Sequence, residues 1–207
     1  MGPKEFILSC CGEEGDIIVK KYLIDGECYF FSKLGEPYGE FHFKKDIAAA
    51  LKVHIRDVVI VGSAKLGFSI KPQIIDKNLF YPFKEFDSQC SKDPDAEPSD
   101  IDVAIVSDKL FNEQLENLYE YTQGYKNYNR GNRKHDQLAD YILKGWLRPD
   151  CVPRSYCIST GINKVLEDYR KKYKRKVNIG IYKSWFFFEN YHKNNIQNIK
   201  LNHISNI

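Results

Sequence analysis

Val58-Val59-Ile60-Val61-Gly62-Ser63 is the stretch that decides the fold of this chain. Four consecutive β-branched residues form the kind of run expected of a short central strand buried on both faces. A strand that stops at Gly-Ser and turns sharply leaves backbone N–H groups pointing outward, and Gly62 removes the Cβ that would block a close approach. Downstream, Ser99-Asp100-Ile101-Asp102-Val103-Ala104-Ile105-Val106 predicts a second strand. The two-residue period of a strand sends Asp100 and Asp102 to one face and Ile101 and Val103 to the other.

Working outward, strands and helices alternate. Ile17-Ile18-Val19 and Tyr22-Leu23-Ile24 read as one β-rich run, Asp25-Gly26 as a tight turn, and Cys28-Tyr29-Phe30-Phe31 as the return. Together they predict an N-terminal β-hairpin over about 15–32. Helices are expected over Asp46 to Val53, Lys109 to Gln123, His135 to Gly145, Gly161 to Lys172 and Ser184 to Ile199, and a third strand over Lys176 to Tyr182. Residues 70–98 carry Pro72, Pro82, Pro94 and Pro98 and read as a long loop inserted between the two motifs. The interleaving predicts one α+β (α/β-type) domain over 1–207, a sheet with helices packed on it.

The composition is that of a globular protein, with 43% hydrophobic and 29% charged residues. No apolar run approaches the roughly 20 residues that span a bilayer, and Met1 to Phe6 is not a secretion signal. A cytoplasmic protein with no membrane partner is the expectation. The six cysteines form no Cys-x-x-Cys pair, so they are expected to be mostly reduced, buried, small apolar side chains. The net charge of +3 is uneven: residues 170–207 hold nine Lys or Arg against the single acid Glu189. Within them Arg170, Lys171, Lys172, Lys174, Arg175 and Lys176 crowd around Tyr173, a candidate contact for RNA or DNA phosphates or simply a solvated helix end. Arg130, Arg133, Lys134 and His135 make a second basic cluster.

The two motifs carry the chemistry. The Gly62-Ser63 turn offers N–H groups and a hydroxyl to phosphate oxygens, and Lys65 stands two residues on, where an ammonium could reach a triphosphate. Two adjacent carboxylates repel each other without a cation between them. Magnesium is commonly held by one or two carboxylates together with substrate phosphates. Two such ions about 4 Å apart activate an attacking hydroxyl and stabilise a leaving pyrophosphate.

Together, Val61-Gly62-Ser63 and Asp100-Ile101-Asp102-Val103 resemble the signature of the DNA polymerase β-type nucleotidyltransferase superfamily. They look most like its small bacterial members, stand-alone or associated with defence and toxin systems. The resemblance covers about 45–110 firmly and the remainder by layout. It implies a nucleotidyltransferase-like fold, a small mixed sheet flanked by helices, with Mg²⁺ or Mn²⁺ as cofactor and a nucleoside triphosphate as substrate. Gly62 and Ser63 would hold the triphosphate, with Asp100 and Asp102 as metal ligands and catalytic groups. RNA, DNA, a nucleotide or the hydroxyl of a protein encoded nearby is the implied acceptor. Two departures stand out. The spacing between the motifs is longer than the family's, and the strand Lys176 to Tyr182, where the family places a third carboxylate, has none. Asn178, Gly180 or Tyr182 would occupy that place unless Asp136, Asp140 or Asp150 supplies the acid. The alternatives are therefore a catalytically impaired regulatory or binding protein, or an antitoxin-like enzyme that nucleotidylates a partner protein.

Overall fold

The two motif strands lie side by side in a mixed sheet, the Asp100-Asp102 strand inside it and the strand before Gly62 at its edge instead of the central place its apolar run suggests. In the computed structural model, which describes residues 2–76, 78–93, 95–124, 126, 133–148, 151–153 and 156–205, the strands are β1 (Val58–Val61), β2 (Gln73–Ile75), β3 (Asn78–Phe80), β4 (Ile101–Val106), β5 (Trp146–Leu147) and β6 (Val177–Tyr182). The main sheet has the order β1-β4-β6-β5. β1 and β5 run antiparallel to their neighbours, while β4 and β6 run parallel. β4 and β6 are the strands flanked on both sides, and β4 is apolar on either face away from the site because Ile101, Val103 and Ile105 enter one core cluster and Ala104 and Val106 the other.

Helices cover both faces: α1 (Pro3–Gly12), α2 (Gly15–Ile18), α3 (Tyr29–Leu34), α4 (Gly39–Leu51), α5 (Gly62–Leu66), α6 (Asp108–Tyr121), α7 (Arg133–Leu143), α8 (Thr160–Tyr173) and α9 (Trp185–Ser205). Ser107 and Ser159 start α6 and α8, each accepting a bond from the N–H three residues on. On one face Ile60, Val103, Ile105 and Ile179 meet Phe43 and Ile47 of α4, Phe111 of α6 and Leu166 of α8. On the other, Val59, Ala104, Val106 and Tyr182 meet Phe6 of α1 and Phe188, Ile196 and Ile199 of α9. No described helix is long and apolar enough to cross a membrane. All six cysteines are free; Cys10, Cys28 and Cys151 are buried, Cys11 and Cys90 partly so, and Cys157 is exposed.

Two further expectations fail. The N-terminal β-hairpin over 15–32 is helical: α2 runs into a π-helical turn over Val19–Ile24, and Tyr29 begins α3. Ile18, Val19 and Leu23 are buried while Ile17 is 46% exposed, a spacing that puts one helical stripe against α1 and α9. The β-branched residues that suggested strands are overruled by that packing. The second correction concerns residues 70–98, which are not a featureless loop. β2 and β3 form a ribbon between Pro72 and Pro82, Phe68 bridges to Glu85, and Asp87 is bound to Ser99.

One core residue makes the fold acid-sensitive. His192 on α9 is 7% exposed, packs against Phe188 and Tyr182, and has no hydrogen bond on either ring nitrogen. Burial lowers its pKa from 6.5 to about 4. The unfolded chain therefore takes up this proton below about pH 6.5, and the folded chain only near pH 4. Stability is complete above that window and falls by about 3 kcal/mol as the pH drops through it. Urea midpoints from pH 7 to pH 4 should show the decline in wild type and a shallower one in His192→Phe.

Candidate functional site

The register brings three distant residues into one row: Val61 pairs with Asp102 across β1 and β4, and Asp102 pairs with Asn178 across β4 and β6. β1 ends at this row and the chain turns into α5 through Gly62, whose φ is +69°. A Cβ on Gly62 would stand 3.2 Å from Asp102 Oδ2. Only glycine combines that left-handed backbone with that approach to the carboxylate at little cost. Gly62, Ser63 and Ala64 open α5, and the first N–H groups of a helix have no acceptor within it. The turn and the carboxylates thus share one edge of the sheet.

Asp100 lies just ahead of β4 and Asp102 within it. Asn178 Nδ2 donates to Asp100 Oδ2 and to Asp102 Oδ1, 3.1 Å in each case. Both aspartates are partly buried, and burial is the main reason the Asp102 carboxyl is raised above the ordinary value. The Asn178 amide pulls the other way, and the Asp100 charge adds to the rise. Lys71 and Arg148 also favour its ionised form. The sequence reading passes over both of these cations, because neither belongs to a motif. Arg148 follows β5, stacks on Trp146 and Tyr141, and donates to the Tyr141 hydroxyl at 2.9 Å.

Comparison with protein-family models, with curated proteins and with solved structures finds no match to this chain. The site is accordingly read from its own residues. Two carboxylates bridged by one amide, beside the N–H groups that open α5, suit a hard divalent cation and the phosphate oxygens it carries. Among the described residues, no group of three His, Cys, Asp or Glu forms around the pair or elsewhere. Asp140 is exposed on α7; Asp150 and the side chain of Asp136 lie outside the described residues.

Other candidates are placed differently from expectation. Lys65 is 4% exposed, burial lowers its pKa, and its ammonium donates to the Gly26 carbonyl. It is committed inside the fold and offers a triphosphate no free charge. The basic run is mostly engaged as well. Arg170 donates to the Val177 carbonyl and faces Glu167, Lys171 also faces Glu167, and Lys172 pairs with Glu36 at 2.7 Å. Arg175 grips Asp87, and Lys176 pairs with Glu97. Lys174 ends α8 in the left-handed conformation. Carboxylates from elsewhere in the chain thus offset much of the charge that the run offered a polyanion. Arg130 and the side chains of Arg133, Lys134 and His135 lie outside the described residues.

Proposed function

We propose that this chain is a metal-dependent nucleotidyltransferase that binds a nucleoside triphosphate on the Gly62-Ser63 turn and its metal on Asp100 and Asp102. The observation that carries the reading is the contact between the two motifs. Segments separated by a long insertion converge so closely that the Gly62 hydrogen faces the Asp102 carboxylate. Bound there, Mg²⁺ or Mn²⁺ would neutralise the carboxylates and polarise the phosphoryl oxygens. An acceptor hydroxyl then forms a bond to the α-phosphorus as the bond to pyrophosphate breaks. The Gly62-Ser63 N–H groups hold the triphosphate in line.

A second reading has its own observation. Asn178 stands in register with Asp102, and its amide cannot take the hydroxyl's proton, which must leave to water or to a carboxylate. A protein built this way could bind the triphosphate and regulate a partner without transferring anything. One assay separates the two. Wild type and Asn178→Asp are incubated with α-³²P-labelled triphosphates, Mg²⁺ or Mn²⁺, and RNA, DNA or lysate protein. The transferase reading expects labelled acceptor from wild type and a rate about 10²-fold higher from Asn178→Asp, the scale of a positioned general base. Bound triphosphate with no label from either protein would sink it in favour of the regulatory reading. The labelled acceptor also decides between nucleic acid and protein.

A further inference from the structure

Arg175 belongs to the basic run, yet only 13% of its side chain is exposed. Its guanidinium donates to both carboxylate oxygens of Asp87 at 3.1 Å and to the Ser99 carbonyl at 2.8 Å. Phe30 and Phe86 lie against it at 4.9 Å each. Asp87 and Ser99 are tied to one another in turn. The Ser99 N–H donates to Asp87 Oδ1 at 2.8 Å, and the Asp87 N–H donates to the Ser99 hydroxyl at 2.9 Å. Asp87 holds a left-handed φ of +59°, a conformation that non-glycine residues adopt when their surroundings impose it. Burial opposes the Asp87 charge, but the bonds from Arg175 and Ser99 outweigh it and hold the carboxyl below its usual range.

This knot closes the segment 87–99 at its base, and the next residue is Asp100. Its other strand is equally close to the site. Arg175 stands two residues before β6, Lys176 O accepts from Ile101 N at 2.9 Å, and β6 carries Asn178. The knot therefore sets where both strands start, at the end of the sheet where the carboxylates and their amide partner sit.

We propose that Arg175 is a positioning residue of the Asp100–Asp102 pair, holding Ser99 and the insertion so that the carboxylates converge on a divalent cation. The inference rests on the metal-binding reading of the previous section. It assigns the most enclosed cation of the basic run to the site's architecture instead of to a nucleic acid. A planar fork is required, because one side chain must reach two carboxylate oxygens and a carbonyl at once while lying between two rings.

The test is Mn²⁺ affinity, read by electron paramagnetic resonance of the free ion, for wild type, Arg175→Lys, Asp87→Asn and Lys176→Ala. Arg175→Lys keeps the charge and loses the fork, so a weaker site reports geometry and not field. We expect its Mn²⁺ affinity to fall about 10- to 100-fold, the scale seen when a partner of a metal ligand is removed. Asp87→Asn, which takes a charged acceptor from the fork, should fall in the same direction while melting cooperatively. Lys176→Ala, which removes a charge from the same run and leaves the knot whole, should bind at least as tightly as wild type. If Arg175→Lys does not fold, Asp87→Asn decides. Wild-type affinity in a folded Arg175→Lys or Asp87→Asn, or an equal loss in Lys176→Ala, overturns the positioning role and leaves the metal site standing. Failure of wild type to bind Mn²⁺ overturns the metal site itself, and the role of Arg175 falls with it.

Discussion

Asp102→Asn is expected to lower the proposed nucleotidyl transfer by about 10³-fold or more, and to melt at the wild-type temperature or above it. The first half follows from removing one of the two carboxylates that the described residues bring to the site. The second follows from what Asp102 costs the empty protein. Its carboxylate is drawn out of water beside Asp100, and its raised pKa says that its charge costs more in the folded protein than in the unfolded chain. An amide of the same shape removes the repulsion and can still meet the Asn178 side chain. The sign of the pH dependence checks the explanation. The ionised form is the disfavoured one, so any gain in stability belongs to neutral pH and vanishes as the pH falls through the range where Asp102 takes up its proton. Thermal melts of the two proteins across that range, beside transfer rates, give both halves. Retained transfer, or a cooperative transition lost at neutral pH, would contradict the assignment.

The largest effect on stability is expected far from the carboxylates. Gly145 joins α7 to β5 with φ at +64°, and a Cβ there would stand 2.2 Å from Phe187 Cγ, with two further ring carbons at 2.5 and 2.6 Å. Its carbonyl accepts from Lys183 N at 2.8 Å just beyond β6, so the backbone cannot move away without breaking the edge of the sheet. Gly145→Ala therefore incurs both the left-handed backbone and an overlap with a ring. Together these cost about 3 kcal/mol, or about 10 °C in melting temperature for a chain of this size. A double-mutant cycle separates the two contributions. In a Phe187→Ala background the same substitution should cost only the backbone component, about 1 kcal/mol. An equal cost in both backgrounds would show that the ring is not what excludes the methyl group.

Much of the centre was legible because the relevant signals are local. Val58 to Val61 and Ile101 to Val106 are apolar runs too short for helices, and both are strands. The period-2 argument that put Asp100 and Asp102 on one side agrees with the amide that touches both. The N-terminal segment was misread because β-branched residues at 17–19 carry a strand preference worth less than burying a stripe against α1 and α9. Only the spacing of Ile18, Val19 and Leu23 records that stripe. The absence of an acid from β6 was plain in the sequence. That Asn178 bridges both carboxylates was not, because it depends on the register of two strands 76 residues apart. The basic run shows the same limit. Its partners Glu36, Asp87 and Glu97 lie 136, 88 and 79 residues away, and Lys65 meets the Gly26 carbonyl 39 residues upstream. Charge in a sequence is counted before its partners are known.

The central claim is that the Gly62 turn and the Asp100–Asp102 pair form a single site for a metal–triphosphate complex. Its most direct test is equilibrium binding of a radiolabelled nucleoside triphosphate, with Mg²⁺ or with a chelator, to wild type, Asp102→Ala and Gly62→Val. Melting curves confirm that each protein is folded. The account predicts binding that requires the metal and is lost in both variants, one through the ligand and the other through a side chain forced against Asp102. Binding that survives the chelator, or that either folded variant retains, would contradict it, as would no binding at all.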